Sequence, residues 1–235
     1  MFKNFPSDAL YSPAVPRPDP AASAGSASRV GGAEEIAIRG LDILVSLAAL
    51  AFLLPLLLAI ALTIKARNPG PIFFVQRRIG RDGRYFPCFK FRTMVVDAEA
   101  RLAKLLASDP QARAEWALDH KLRRDPRIIP GGELLRKSSL DELPQLFNVL
   151  RGEMSIVGPR PIVEAEVARY GRYFTSYCAV RPGLTGLWQI SGRNDVSYRR
   201  RVACDVAYAR KKSLRTDIRV IALTVPAVLL AKGSY

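Results

Sequence analysis

The chain has one histidine, His120, and three cysteines, Cys88, Cys178 and Cys204, among its 235 residues. The cysteines show no CxxC or Cys/His spacing, which excludes a zinc framework and reads as free thiols in a reducing compartment. Any Ser-His-Asp or histidine-based metal chemistry would have to pass through His120, which stands in a charged stretch and reads as a surface residue. Acid is also scarce, with 21 Asp and Glu against 36 Lys and Arg, a net charge of +15. Despite that charge there is no zinc-ligand spacing and no aromatic RNA-binding motif, so a nucleic-acid partner is not expected. The first long apolar run starts only at Ile43 and has no small-residue cleavage site behind it, which argues against a signal peptide.

The run itself, Ile43 to Ile64, is 22 residues without a charge and has Pro55 in its middle. At about 1.5 Å of rise per residue it can cross a hydrocarbon core of roughly 30 Å. Pro55 removes a helical hydrogen bond and predicts a kink. Composition leaves open whether the segment crosses or dips into one leaflet and returns. Residues 1–42 hold four basic and five acidic side chains, so everything beyond carries +16. Anionic headgroups and a polyphosphate substrate are the partners that suit such a field beside a membrane. Between Lys65 and Arg92 eight basic residues face one acid, which puts that side in the cytoplasm.

Residues 1–33, rich in Pro, Ala, Ser and Gly, read as a disordered lead, and 34–66 as the membrane helix. Ile72–Gln76 and Tyr85–Met94 predict a β-hairpin around the Asp82-Gly83 turn. Helical pattern runs from Val96 to Lys121, broken at Asp109-Pro110. A short helix is expected over Glu133–Lys137. Ser138 or Ser139 is expected to cap a helix with Asp141 and Glu142 in its first turn and Leu143, Leu146, Phe147 and Leu150 on its buried face. Further helices are expected over Ile162–Phe174 and Tyr198–Lys212. The last, Ile218–Leu230, is capped by Thr216-Asp217 and suited to lie in the membrane interface, about 217–231.

Asp141 and Glu142 point about 100° apart on a helix. They can divide labour around a phosphate, one attacking phosphorus and the other holding a divalent ion. Lys90, Arg92, Arg136, Arg160, Arg181 and Arg193 are the candidate phosphate ligands. The arginines flank conformationally restricted segments, where a planar guanidinium suits phosphate recognition.

The run Ser139-Leu140-Asp141-Glu142-Leu143-Pro144-Gln145-Leu146-Phe147-Asn148-Val149-Leu150, with Gly152-Glu153-Met154-Ser155-Ile156-Val157-Gly158-Pro159-Arg160-Pro161, resembles the bacterial sugar transferase family. These are monotopic phosphoglycosyl transferases that start exopolysaccharide, O-antigen and glycoprotein glycan assembly. The resemblance covers about Ile36 to Tyr235. It implies an α+β monotopic membrane protein with a re-entrant helix broken at Pro55, a small β-hairpin, and a mainly helical cytoplasmic catalytic domain, 67–235, with interfacial amphipathic helices. It implies Asp141 as nucleophile on the β-phosphorus of a UDP-sugar, Glu142 as Mg2+ holder, release of UMP, and undecaprenyl phosphate as the second substrate. The Arg181–Asn194 segment and the Lys232–Tyr235 ending are similar to the exopolysaccharide branch, whose sugar is usually glucose or galactose. Leu54 departs from the Ser frequent before the proline. The expected location is the bacterial inner membrane, with no extra domain ahead of the anchor and with a homodimer left open. The competing reading is a membrane adaptor or lipid-phosphate sensor without catalysis.

Overall fold

The computed structural model describes residues 31–119, 122, 124–192 and 196–229. Nearly all of the expected lead, together with His120, Arg193 and the Lys232–Tyr235 ending, lies outside them. The anchor is one helix, α1, Gly32–Arg67, so its start reaches two residues into the expected lead. Glu34 and Glu35 occupy its first turn and Lys65 and Arg67 its last, which suits the helix dipole at both ends. Among the described residues it is the one helix long and apolar enough to cross a membrane.

After α1 come β1 (Phe73–Ile79) and β2 (Tyr85–Phe91), which pair as a two-stranded hairpin. Two helices follow, α2 (Ala98–Ser108) and α3 (Pro110–Asp119), separated at Asp109 as expected. Next are α4 (Gly132–Lys137), a 3-10 turn over Leu140–Glu142, and α5 (Gln145–Leu150). Then come β3 (Ser155–Val157), α6 (Val167–Tyr170), α7 (Phe174–Cys178), β4 (Gly183–Thr185) and α8 (Leu187–Ile190). The chain continues through α9 (Tyr198–Lys211) and α10 (Leu214–Leu229).

Contacts divide the chain into two compact units, and the dividing line along α1 falls at Leu53/Leu54, beside Pro55. The first unit takes the chain up to Leu53, Val75–Phe89, and everything from Pro144 on. Its core gathers Phe86, Leu146, Val149, Met154, Ile156, Val157, Tyr208 and Val220, with Val45, Ala49 and Leu50 of α1 packed against it. At its centre β3 runs parallel to β4, with Ser155 opposite Gly183 and Val157 opposite Thr185. A second cluster packs Ile79 and Ile162 with Tyr170, Phe174, Tyr177, Val202 and Val206. The second unit takes Leu54–Phe74 and Lys90–Leu143. Its cluster is Ile60, Ile64, Phe91 and Ile129, with Leu57, Ala61, Ile72, Val95, Leu135 and Leu140 against it.

Four expectations need correction. The dyad lies in the first turn of a three-residue 3-10 helix, Leu140–Glu142, and not of an α-helix: Pro144 has no N–H to extend α5 backward, so α5 starts only at Gln145. Phe147 is exposed, and the buried side of α5 is Gln145, Leu146, Asn148 and Val149. The expected 162–174 helix is broken into short 3-10 and α pieces, with Gly171 at φ 50° between α6 and the following turn. The last helix begins at Leu214, where Ser213 Oγ accepts from Thr216 N (3.2 Å). Asp217 is buried and accepts from Tyr208 Oη (2.8 Å) instead of capping. The exposed side of α10 carries Arg215, Ile218, Arg219, Leu223 and Val225.

Candidate active site

The second unit builds the dyad. Strand alternation along β2 turns Phe89 and Phe91 inward and leaves Lys90 on the other face. Its Nζ donates to Glu142 Oε1 at 2.7 Å, with the two side chains only 16% and 15% exposed. Glu142 and Asp141 sit on the 3-10 turn, closed by Glu142 N to Ser139 O (3.1 Å) and Leu143 N to Leu140 O (3.3 Å). Asp141 is buried. Ser139 enters the turn in the left-handed region (φ 59°, ψ 16°) and makes no capping bond, so it is not the expected N-cap. Arg136 lies exposed in the last turn of α4.

Arg92 stands in the same unit but is committed to backbone. It is 5% exposed, and its guanidinium donates to Asn68 O (2.5 Å) and Pro69 O (3.4 Å), bracing the turn between α1 and β1.

Arg160 and Arg181 belong to the first unit. Arg160 rides on the Gly158–Pro161 loop, which is held by Gly158 N to Thr185 O (2.9 Å), Gly183 N to Pro159 O (2.7 Å) and Arg78 Nη1 to Pro161 O (2.7 Å). Burial and the charge of Arg160 both push the Arg78 pKa down, so Arg160 lies within Arg78's field. Arg181 donates from Nε to Gly152 O (3.1 Å) and pairs with Glu35 (3.6 Å).

Sequence reasoning missed the residues that hold this framework. Asn148 is fully buried and ties β2 to α5, accepting from Phe89 N (3.0 Å) and donating to Pro87 O (2.7 Å) and Glu153 (2.6 Å). Asp42 Oδ1 accepts from Ser155 Oγ and Ile156 N, both at 2.8 Å. The one available signal was its place as a lone acid immediately ahead of the uncharged run.

Among the described residues no group of three or more His, Cys, Asp or Glu side chains converges on one point. A divalent ion at the dyad would therefore take one or two carboxylates and complete its shell with water and substrate phosphate oxygens. That is the ordinary habit of Mg2+, so the donor set fits it.

A family profile described as bacterial sugar transferase matches residues 33–231. The exopolysaccharide production protein ExoY of Sinorhizobium fredii is 49% identical over 211 residues, covering 90% of this chain and 92% of that protein. The undecaprenyl-phosphate galactose phosphotransferase of Salmonella typhimurium is 48% identical over 197 residues, 84% of this chain and 41% of that longer protein. The UDP-glucose:undecaprenyl-phosphate glucose-1-phosphate transferase of Xanthomonas campestris is 41% identical over 202 residues, 83% of this chain and 39% of its own length.

Proposed function

The chain belongs to the bacterial sugar transferase family, and on that footing we propose that it moves a hexose-1-phosphate from a UDP-sugar to undecaprenyl phosphate. The observation that carries the reading is the buried Asp141 beside a Glu142 already matched to a cation, Lys90, on a turn inside the Ser139–Leu150 run and within the span the family profile matches. Relatives named for galactose and for glucose transfer support a hexose and do not choose between the two.

In the first half-reaction an Asp141 carboxylate oxygen forms a bond to the β-phosphorus of the UDP-sugar. The bond from that phosphorus to the bridging oxygen breaks, and UMP leaves with the electron pair. In the second, a phosphate oxygen of undecaprenyl phosphate attacks the same phosphorus and Asp141 is regenerated. Splitting the transfer lets a soluble donor and a membrane-held acceptor use the carboxylate in turn. Lys90 holds Glu142 in place while Arg136, at the end of α4, adds positive potential on this side of the chain. Mg2+ held by Glu142 would supply neutralisation of phosphate oxygens against the incoming carboxylate.

The anchor is read as re-entrant. Arg39 and Asp42 precede the apolar run, yet they bond to Val149, Leu150, Ser155 and Ile156, which follow it. A helix crossing once would carry its two ends to opposite faces. The exposed apolar side of α1, including Leu44, Leu47, Phe52, Leu58 and Leu62, then seeks one leaflet. The basic residues after the run support a catalytic part on the cytoplasmic face of the inner membrane.

The test is UMP release by the purified chain in nanodiscs with undecaprenyl phosphate, Mg2+ and a panel of UDP-sugars, beside Asp141→Asn. Release with one sugar, abolished in Asp141→Asn, is expected. Activity that survives in Asp141→Asn removes the nucleophile assignment.

A further inference from the structure

The dyad turn carries two features that the transfer chemistry leaves unexplained. Ser139, two residues before Asp141, sits at φ 59°, a conformation that non-glycine residues keep only when their surroundings hold it there. Its side chain makes no capping hydrogen bond, so capping is not what holds it. Leu140, immediately before Asp141, packs against the cluster of Ile60, Ile64, Phe91 and Ile129. Phe91 of that cluster is the neighbour of Lys90. Both partners of the Lys90–Glu142 pair are thus set by residues that meet in one apolar cluster.

The second half of α1 forms part of that cluster and has two faces. Ile60 and Ile64 point inward at 8% and 2% exposure, while Leu58 and Leu62 stand outward at 54% and 69%. One face packs against the cluster that holds Leu140, and the other is exposed and apolar.

We propose that Leu140 is a positioning residue that couples the aim of Asp141 to the seating of the anchor's second half, with the left-handed backbone at Ser139 setting the direction. The inference rests on the transfer reaction proposed above. On this basis lipid insertion of α1 is a condition for catalytic geometry as well as a means of attachment. A bilayer that holds Ile60 and Ile64 in register holds the wall on which the turn sits. Displacing a nucleophile by a fraction of an ångström slows attack without weakening donor binding by groups elsewhere.

The experiment uses the full chain in nanodiscs with donor alone, so that the first half-reaction appears as a burst of UMP. Burst amplitude counts competent molecules, and burst rate reports geometry. Leu140→Ala and Ile64→Ala are expected to slow the burst about tenfold or more, with unchanged amplitude and donor KM within about twofold. Leu140→Met recovers most of the rate, and Leu134→Ala, an exposed change on α4, leaves it unaltered. Ser139→Val, which cannot settle into the left-handed region, falls well below Ser139→Gly, which can. Reduced amplitude at the wild-type rate would mean only lost folding and overturns the proposal, as does equal slowing by Leu134→Ala. If wild-type protein gives no burst with any UDP-sugar, the reaction assignment itself has failed. The coupling is then read by hydrogen exchange: Ile64→Ala must speed exchange across residues 139–143 and not across 155–185. Unchanged exchange at 139–143 overturns it.

Discussion

Arg39 donates to the carbonyl oxygens of Val149 (2.6 Å) and Leu150 (2.9 Å), so a residue ahead of the apolar run closes the end of a helix far beyond it. The last carbonyls of a helix have no partner within it, and a guanidinium also favours the negative end of the dipole. The re-entrant reading proposed above rests on this contact and the Asp42–Ser155 bond, since neither can form across a bilayer.

Labelling should therefore place both ends of the anchor on one side. In a background with Cys204 replaced by Ser, Ile36→Cys and Lys104→Cys are both exposed positions. A membrane-impermeant thiol reagent added outside intact spheroplasts should reach neither, and both should react once the membrane is opened. Reaction of Ile36→Cys alone from outside would establish a single crossing and end the re-entrant reading.

The Lys90–Glu142 pair predicts a non-additive double mutant. Lys90→Met takes away the ammonium bonded to the mostly buried Glu142, and a loss of about 2 kcal/mol, roughly 30-fold in rate, is expected. If Lys90 acts through Glu142, Lys90→Met added to Glu142→Gln costs little more than Glu142→Gln alone, a coupling of about 1–2 kcal/mol. Steady-state UMP release on the four proteins checks this. Full additivity would instead assign Lys90 its own contact with substrate phosphate.

The hairpin, the anchor and the break at Asp109-Pro110 are legible because each rests on a local signal: strand content around a turn, an uncharged run, a proline. The dyad is legible through its motif, but its backbone is not, since Ser139 looks like an ordinary cap and nothing local announces a left-handed serine. Strand β3 gives no sign of itself because three residues cannot show a period, and its partner β4 lies 28 positions later. Asp217 misleads for a similar reason. An acid near a helix start is ordinarily a cap, and only the fold brings Tyr208 to it. Arg92 reads as a phosphate ligand from its rigid setting, and the same setting lets it brace Asn68 and Pro69.

Asp205 predicts a pH-dependent stability in the first unit. Burial pushes its carboxyl from 3.8 up to about 7, opposed by the hydrogen bond from Tyr170 Oη (2.7 Å) and by Arg201. A carboxyl raised on folding binds its proton more tightly in the folded state. Its contribution is thus greatest below the unfolded value and declines as pH rises from about 4 to about 7. Asp205→Asn keeps an acceptor for Tyr170 and removes the titration. Between pH 5 and 8 the unfolding midpoint of wild type should fall relative to that of Asp205→Asn. A constant difference across that range would show that Asp205 titrates below it.

Two glycines make opposite predictions from the same substitution. A methyl group at Gly183 would run into the backbone of Gly158, where the 158–161 loop crosses the start of β4, and no flexible side chain can yield there. Gly183→Ala must push the two segments apart, weakening the bonds from Gly158 N to Thr185 O and from Gly183 N to Pro159 O. A loss of about 2–3 kcal/mol is expected, the upper range for overpacking. Gly40, inside α1, leaves open space where a methyl group would stand, with nothing within 4 Å, and there alanine removes only backbone freedom. Gly40→Ala should stabilise by up to about 1 kcal/mol and leave transfer unchanged. Thermal unfolding of both variants in the same nanodiscs decides the matter. If Gly183→Ala were as stable as wild type, the close crossing would not be part of the folded state, and the placement of Arg160 by that loop would fall with it.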